Sequence, residues 1–225
     1  MVVGTKKRTS LSVCFKFVLI SGLLIISHIK LVAQNNLVWA KSLGGSGYEK
    51  GYSIDVDGSG NVYSTGYFSG PTDFDPNAGV YSLTPIGAED VYVSKLNSLG
   101  NHVWTRSFGG LNSEIGLSIA LDASGNIYTT GAFLDTVDFD PGPGIFNLIS
   151  PGPLYESIFI QKMDPLGNFI WAKAMGGTLD NRGISIAIDA SGNVYITGVF
   201  YGTADFDPGA GTFNLTSAGA NDIFI

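Results

Sequence analysis

Cysteine and histidine are almost absent from this chain of 225 residues, which has one Cys and two His. Charged residues are sparse as well, at 14%. These shortages exclude chemistry. A single thiol, Cys14, leaves no internal disulfide and no paired redox cysteines. His102 is the one histidine beyond the N-terminal segment, and neither a Ser-His-Asp triad nor a His-rich metal centre can be built around it. Carboxylates are more plentiful, yet no two are singled out as an acid–base pair across a cleft. What the chain does have is glycine, 31 residues of it, with 44% hydrophobic and 12% aromatic content. That mixture predicts many short strands joined by tight turns.

The N-terminus reads as a targeting segment. Lys6, Lys7, Arg8 and Lys16 form a basic region. Phe17 to Ser27 is an apolar stretch of signal-peptide length, short for a membrane span. Leu31-Val32-Ala33-Gln34 offers a cleavage zone, so residues 1–34 are expected to be a signal peptide. An uncleaved anchor is the alternative, because Ile29, Leu31 and Val32 extend the apolar run. Cys14 precedes the apolar stretch and is not placed for lipid attachment. Residues 35–225 then hold seven Lys and Arg against nineteen Asp and Glu, a formal charge of −12. That balance disfavours nucleic acid and anionic lipid as partners and leaves no membrane insertion after cleavage.

The chain repeats itself. Trp39, Trp104 and Trp171 recur at steps of 65 and 67. Asp57, Asp122 and Asp189 keep the same steps, each opening an Asp-x-Ser-Gly-Asn run. So does Asp-Phe-Asp-Pro, starting at Asp73, Asp138 and Asp205. Each copy of roughly 66 residues reads as four strands. The first are Tyr52–Asp57, Leu117–Asp122 and Ile184–Asp189. The second are Asn61–Phe68, Asn126–Phe133 and Asn193–Phe200. The third are Val91–Leu96, Ile158–Met163 and Ile223 onward, and the fourth Val103–Phe108 and Ile170–Met175. Ser-Gly-Asn is expected to supply positive-φ residues to the hairpin between strands one and two. Leu99-Gly100-Asn101 and Leu166-Gly167-Asn168 mark a second hairpin.

Tandem four-stranded meanders predict an all-β, β-propeller-like array of antiparallel blades. A linear β-solenoid is the rival, but its repeats are usually shorter. The predicted layout is an orphan outer strand at 37–43, blades at 52–108 and 117–175, and a truncated blade at 184–225. Three blades cannot close a ring. The orphan is expected to complete a last blade, so the 225 residues read as the N-terminal part of a longer protein carrying the remaining blades.

The pattern Ser-Ile-Ala-x-Asp-Ala-Ser-Gly-Asn-x-Tyr-x-Thr-Gly stands at Ser118–Gly131 and Ser185–Gly198, and more weakly at Ser53–Gly66. It resembles the SBBP repeat of bacterial exported β-propeller proteins. The resemblance implies a secreted or cell-surface propeller and carries over no catalytic residue.

Asp73 and Asp75, Asp138 and Asp140, and Asp205 and Asp207 are the most pointed candidates for a site. Spaced two apart in an extended segment, both carboxylates face one way, an arrangement that hard cations such as Ca²⁺ use. No further acids follow at fixed offsets. The competing reading has Phe74, Phe139 and Phe206 plugging the core while the aspartates cap turns. A calcium loop at Asp55-Val56-Asp57-Gly58 is contradicted by its copies, where Ala120 and Ala187 replace Asp55. Gly44-Gly45, Gly109-Gly110 and Gly176-Gly177 fit no phosphate loop. They predict close-packed turns between blades. Asp164 to Trp171 is similar to the docking motif of quinoprotein dehydrogenases, but Asn97 breaks it in the first copy.

The connections between strands two and three, and between four and one, are long. Binding is expected at that end, on an acidic face with Tyr, Phe and the acids Glu49, Glu114 or Asp180. The expected function is a non-enzymatic secreted or cell-surface scaffold for an extracellular protein or polysaccharide. The alternative is an extracellular enzyme, carbohydrate-active or quinone-dependent, with its site in further blades.

Overall fold

The computed structural model describes residues 2–5, 37–152 and 154–225, so the signal-peptide reading and its cleavage zone fall almost wholly outside the described residues. All elements among the described residues are β-strands. The first unit is Glu49–Val56, Val62–Phe68, Asp90–Leu96 and His102–Phe108, an antiparallel meander in chain order. The second is Ile115–Leu121, Ile127–Phe133, Ser157–Met163 and Phe169–Gly177. The third has Asn181–Ile188, Val194–Phe200 and Asp222–Phe224. Upstream, Leu37–Lys41 pairs antiparallel with Val2–Thr5.

First strands begin two or three residues earlier than the alternation of apolar residues suggests. The cause is a bulge between Gly51 and Ser53, repeated between Gly116 and Ser118 and between Gly183 and Ser185. A bulge shifts the side-chain phase, so the residues before it no longer follow the alternation after it. The upstream strand also differs: it stops at Lys41, and Gly44–Gly45 forms a separate pairing.

The hairpins between strands one and two are closed by local chemistry. Asp122 Oδ1 accepts hydrogen bonds from the backbone N–H of Ser124 (2.8 Å) and Asn126 (2.9 Å). Its Oδ2 accepts from Asn126 Nδ2 at 2.7 Å and from the Tyr128 hydroxyl at 3.2 Å. Asp57 and Asp189 do the same. Only the glycine of each Ser-Gly-Asn run has positive φ, about 80° at Gly60, Gly125 and Gly192; the asparagine does not. The turn is a three-residue loop with a left-handed glycine rather than a pair of positive-φ residues.

The second glycine of each Gly-Gly pair has a tertiary cause. Gly44–Gly45 pairs antiparallel with Thr72–Asp73 of the first unit, and Gly176–Gly177 with Ala204–Asp205 of the third. Gly109 bridges to Asp138. A Cβ on Gly45, Gly110 or Gly177 would meet the carbonyl oxygen of Pro71, Thr136 or Thr203. The end of one unit's fourth strand is therefore stitched to the Asp-Phe-Asp-Pro segment of the next.

Each unit has a leading and a trailing face, and at the two junctions among the described residues the leading face of one unit is covered by the trailing face of the next. Tyr63, Val91, Val93 and Phe108 of the first unit pack against Ile119, Phe133, Val137, Phe139 and Phe159 of the second. Tyr128, Ile158, Ile160 and Met175 repeat this against Ile186, Phe200 and Phe224. Every trailing face carries an aromatic triad. Phe133 meets Phe139 edge-on at 5.3 Å, and Phe139 lies 5.2 Å from Phe159. Phe68, Phe74 and Tyr92 repeat it in the first unit, and Phe200, Phe206 and Phe224 in the third. Such contacts add to the burial of the rings themselves. First strands of successive units also touch. Ser53 Oγ accepts from Ile119 N at 3.3 Å, Asp55 Oδ2 from Leu121 N at 2.8 Å, and Ser118 Oγ from Ile186 N at 3.2 Å.

Candidate functional site

The six aspartates of the Asp-Phe-Asp-Pro segments lie in three separate, equivalent loops. Asp73 Oδ1 accepts from the backbone N–H of Asp75 (2.9 Å) and of Tyr81 (2.8 Å). Asp138 does so from Asp140 and Phe146, and Asp205 from Asp207 and Phe213. The second aspartate tightens the loop tip: Asp75 accepts from Asn77 N, Asp140 from Gly142 N and Asp207 from Gly209 N. These N–H donors hold the Asp73 and Asp205 carboxyls below the usual carboxylate range. Phe139 is fully buried between the first two units, and Phe74 is fully buried against Phe68, Tyr92 and the upstream Leu43. Each segment thus works as an inter-unit wedge with a self-closed loop. Among the described residues, no three or more His, Cys, Asp or Glu side chains converge as a metal site requires.

The loop acids divide differently from the sequence expectation. Glu49 accepts from Thr72 Oγ1 at 3.0 Å. Glu114 is fully buried. The position equivalent to these two is Asn181, not Asp180, and Asn181 is likewise fully buried. Asp180 instead accepts from Glu156 N at 3.0 Å. The early start of the first strand hid this register.

Glu114 and Asp90 form a feature the sequence did not signal. Both are buried at the junction of the first two units. Glu114 Oε2 accepts from Gly110 N at 2.7 Å, while its Oε1 has no partner. Burial pushes its carboxyl up to about 7, helped by the Asp90 and Glu89 charges and opposed by the Gly110 N–H. Burial raises Asp90 too, against the N–H groups of Ile86 and Gly87. At the next junction the equivalent positions are Asn181 and Ser157, both neutral.

His102 stacks on Tyr81 at 4.5 Å and meets Thr105 Oγ1 at 3.1 Å. Burial lowers its pKa, with Asp75 and Asp73 acting the other way. Trp104 packs over the hairpin glycine Gly167, and Arg106 donates to the Gly167 carbonyl at 3.2 Å. Trp39 donates to the Ser98 carbonyl at 3.2 Å in the equivalent place. The Asp164–Trp171 pattern is therefore a hairpin cap followed by an inter-unit tryptophan position.

The connections at the long-loop end are braced by backbone bonds, with Ala88 N on Asn112 O and Asn181 N on Glu156 O. They leave Tyr48, Ile86, Leu111 and Leu154 exposed. These side chains do not repeat. Ser46 and Thr178 stand where the second copy has Leu111, and Ser113 and Asp180 where the upstream copy has Tyr48.

The geometry defines an all-β array of β-propeller-type units, with no ring closed among the described residues. Residues 38–75 match the model of the SBBP family, described as a beta-propeller repeat. The match runs from the upstream strand Leu37–Lys41 through the first Asp-Phe-Asp segment. The chain is also 26% identical over 214 residues to an uncharacterized WD repeat-containing protein, L264, of Acanthamoeba polyphaga mimivirus. That alignment covers 83% of this chain and 15% of the relative.

Proposed function

We propose that this chain is a non-enzymatic, exported scaffold whose long-loop end binds an extracellular protein or polysaccharide. The observation that carries the reading is the contrast between the two kinds of surface. The repeated aspartates are consumed in closing turns, whereas the long-loop end exposes Tyr48, Ile86, Leu111 and Leu154 at positions where the copies differ. Unrepeated apolar side chains on rigidly held loops suit recognition. The repeat-family match and the WD-repeat relative support a scaffold role. Export rests on the basic and apolar character of residues 1–34, and the acidic remainder suits a partner other than nucleic acid.

The test is a glycan array and an extracellular-protein array, with hydrolysis and dye-reduction assays run in parallel. Binding without turnover, weakened several-fold by Leu111→Ser or Leu154→Ser, is expected. Product release that survives purification to homogeneity contradicts it. Export is checked by N-terminal sequencing of secreted protein, which is expected to start near Gln34.

A further inference from the structure

The two junctions between units share one frame but hold different side chains. Glu89, Asp90, Glu114 and Ile115 stand at the first junction where Glu156, Ser157, Asn181 and Arg182 stand at the second. At the second, the two buried polar side chains, Ser157 and Asn181, are neutral, and Glu156 is paired with Arg182. At the first, three acids gather and the cation is gone. Ile115 fills the place that Lys50 holds in the first unit and Arg182 in the third. Glu114 is 0% exposed and Asp90 1%.

Each of these buried carboxylates holds one loop of the long-loop end. Asp90 accepts from the N–H groups of Ile86 (3.0 Å) and Gly87 (3.3 Å). Glu114 Oε2 accepts from Gly110 N, one residue before Leu111. The two loops lie on each other. Ala88 and Glu89 donate to the Asn112 carbonyl at 2.9 and 3.3 Å, and Glu114 N donates to the Glu89 carbonyl at 2.8 Å. A Cβ on Gly87 would meet the carbonyl oxygens of Gly110 and Asn112. Ile86 and Leu111, both exposed, ride on these loops.

No base offsets the acids. The cations of the neighbouring strands are turned elsewhere, with Lys95 over the Tyr63 ring, Arg106 on the Gly167 carbonyl and His102 against Tyr81. The acids of the adjoining segment are engaged locally: Asp135 accepts from Thr136 Oγ1, and Asp138 from the N–H groups of its own loop. A buried carboxyl beside two others rests there while it keeps its proton, and once ionised it is relieved only by reaching water. Burial raises Glu114 from the ordinary 4.5 to about 7, so the closed junction is fully favoured below 4.5 and loses that support as pH rises through about 7.

We propose that the first junction is a proton-controlled latch between the loops 86–88 and 110–112. While Glu114 keeps its proton, the loops stay bonded and hold Ile86 and Leu111 at a fixed spacing. When the proton passes to solvent, the new carboxylate repels Asp90 and Glu89, water enters and the loops part. The second junction, with Asn181 and Ser157, does not respond. The consequence for recognition, weaker ligand capture above about pH 7, rests on the proposed role of Ile86 and Leu111; the latch itself is tested without a ligand.

Two equivalent amides read it. Glu114 N–H is bonded to Glu89 O at 2.8 Å, and Asn181 N–H to Glu156 O at 2.9 Å. Their exchange is measured by NMR on the full 225-residue chain at about pH 6 and about pH 8, with rates corrected for the intrinsic pH dependence of exchange. Protection at Glu114 is expected to fall about tenfold, the change in opening constant for a carboxyl raised from 4.5 to about 7, while protection at Asn181 stays level. In Glu114→Gln the fall is expected to vanish. In Ile115→Arg, which restores the cation of the second junction, it is expected to shrink, and this variant serves should Glu114→Gln fail to fold. Equal protection of Glu114 at the two pH values overturns the proposal. So does an equal fall at Asn181, which marks a global loss of stability, or an undiminished fall in either variant.

Discussion

Asp135 has φ of 57°, and no other non-glycine residue among the described ones has positive φ. The equivalent residue in the third copy is Gly202, at φ 62°. A short polar side chain tolerates this conformation, and a β-branched one does not. Asp135→Val is expected to cost about 1–2 kcal/mol and Asp135→Gly close to nothing, read as urea midpoints. Gly110 gives a second contrast. A Cβ there meets the Thr136 carbonyl, while one on Gly58 meets nothing within 4 Å. Gly110→Ala is expected to destabilise by about 1–3 kcal/mol, and Gly58→Ala to be neutral or slightly stabilising. Glu114 sets a pH dependence. Its folded value, about 7, lies above its ordinary 4.5, so its contribution to folding is fully present below 4.5 and is lost as pH rises through about 7. Asp90, also raised, acts in the same direction. Urea midpoints are expected to fall between about pH 5 and pH 8 for the parent chain, and to fall less for Glu114→Gln, the neutral choice that Asn181 already makes.

At the scale of the element, the aspartate-capped hairpin is the recurring device. Burial pushes the Asp122 carboxyl up, but the Asn126 side chain and the N–H groups of Asn126 and Ser124 outweigh it and hold it low. A lowered value means that the stabilisation is present above the ordinary 3.8 and is lost as pH falls through the folded value. Asp122→Ala is expected to cost about 1–2 kcal/mol and Asp122→Asn less, since Asn97 fills the same role in another hairpin. These hairpins were legible in the sequence because every partner lies within six residues. The second, third and fourth strands were legible within a residue or two for the same local reason. The start of each first strand was not, because the bulge at Gly51, Gly116 or Gly183 breaks the alternation that marks a strand. The glycine pairs were legible as close-packed positions between blades, but not as strands pairing with the next unit, because those partners lie beyond two intervening strands.

At the scale of the whole molecule, the period of 65 to 67 residues made the array legible, and the junctions between units give it depth. Asp55 illustrates what a linear reading misses. Compared with Ala120 and Ala187 it looks like a lapse from the pattern, yet its carboxylate crosses to the Leu121 N–H of the second unit. The Asp-Phe-Asp-Pro segments look like ligand loops in sequence, and in the structure their phenylalanines also pack the trailing face, where Phe74, Phe139 and Phe206 each find two aromatic neighbours. Candidate recognition residues such as Leu111 and Leu154 carried no sequence signal. Only their exposure at the long-loop end distinguishes them.

The stacking of units is the centre of this account, and amide exchange at the first strands tests it most directly. The N–H groups of Ile119, Leu121 and Ile186 point away from their own second strands and are held only by the preceding unit, through Ser53, Asp55 and Ser118. Measured by NMR, these three amides are expected to exchange slowly and the equivalent Ile54 amide quickly. Uniformly fast exchange at all four would mean that the units do not stack.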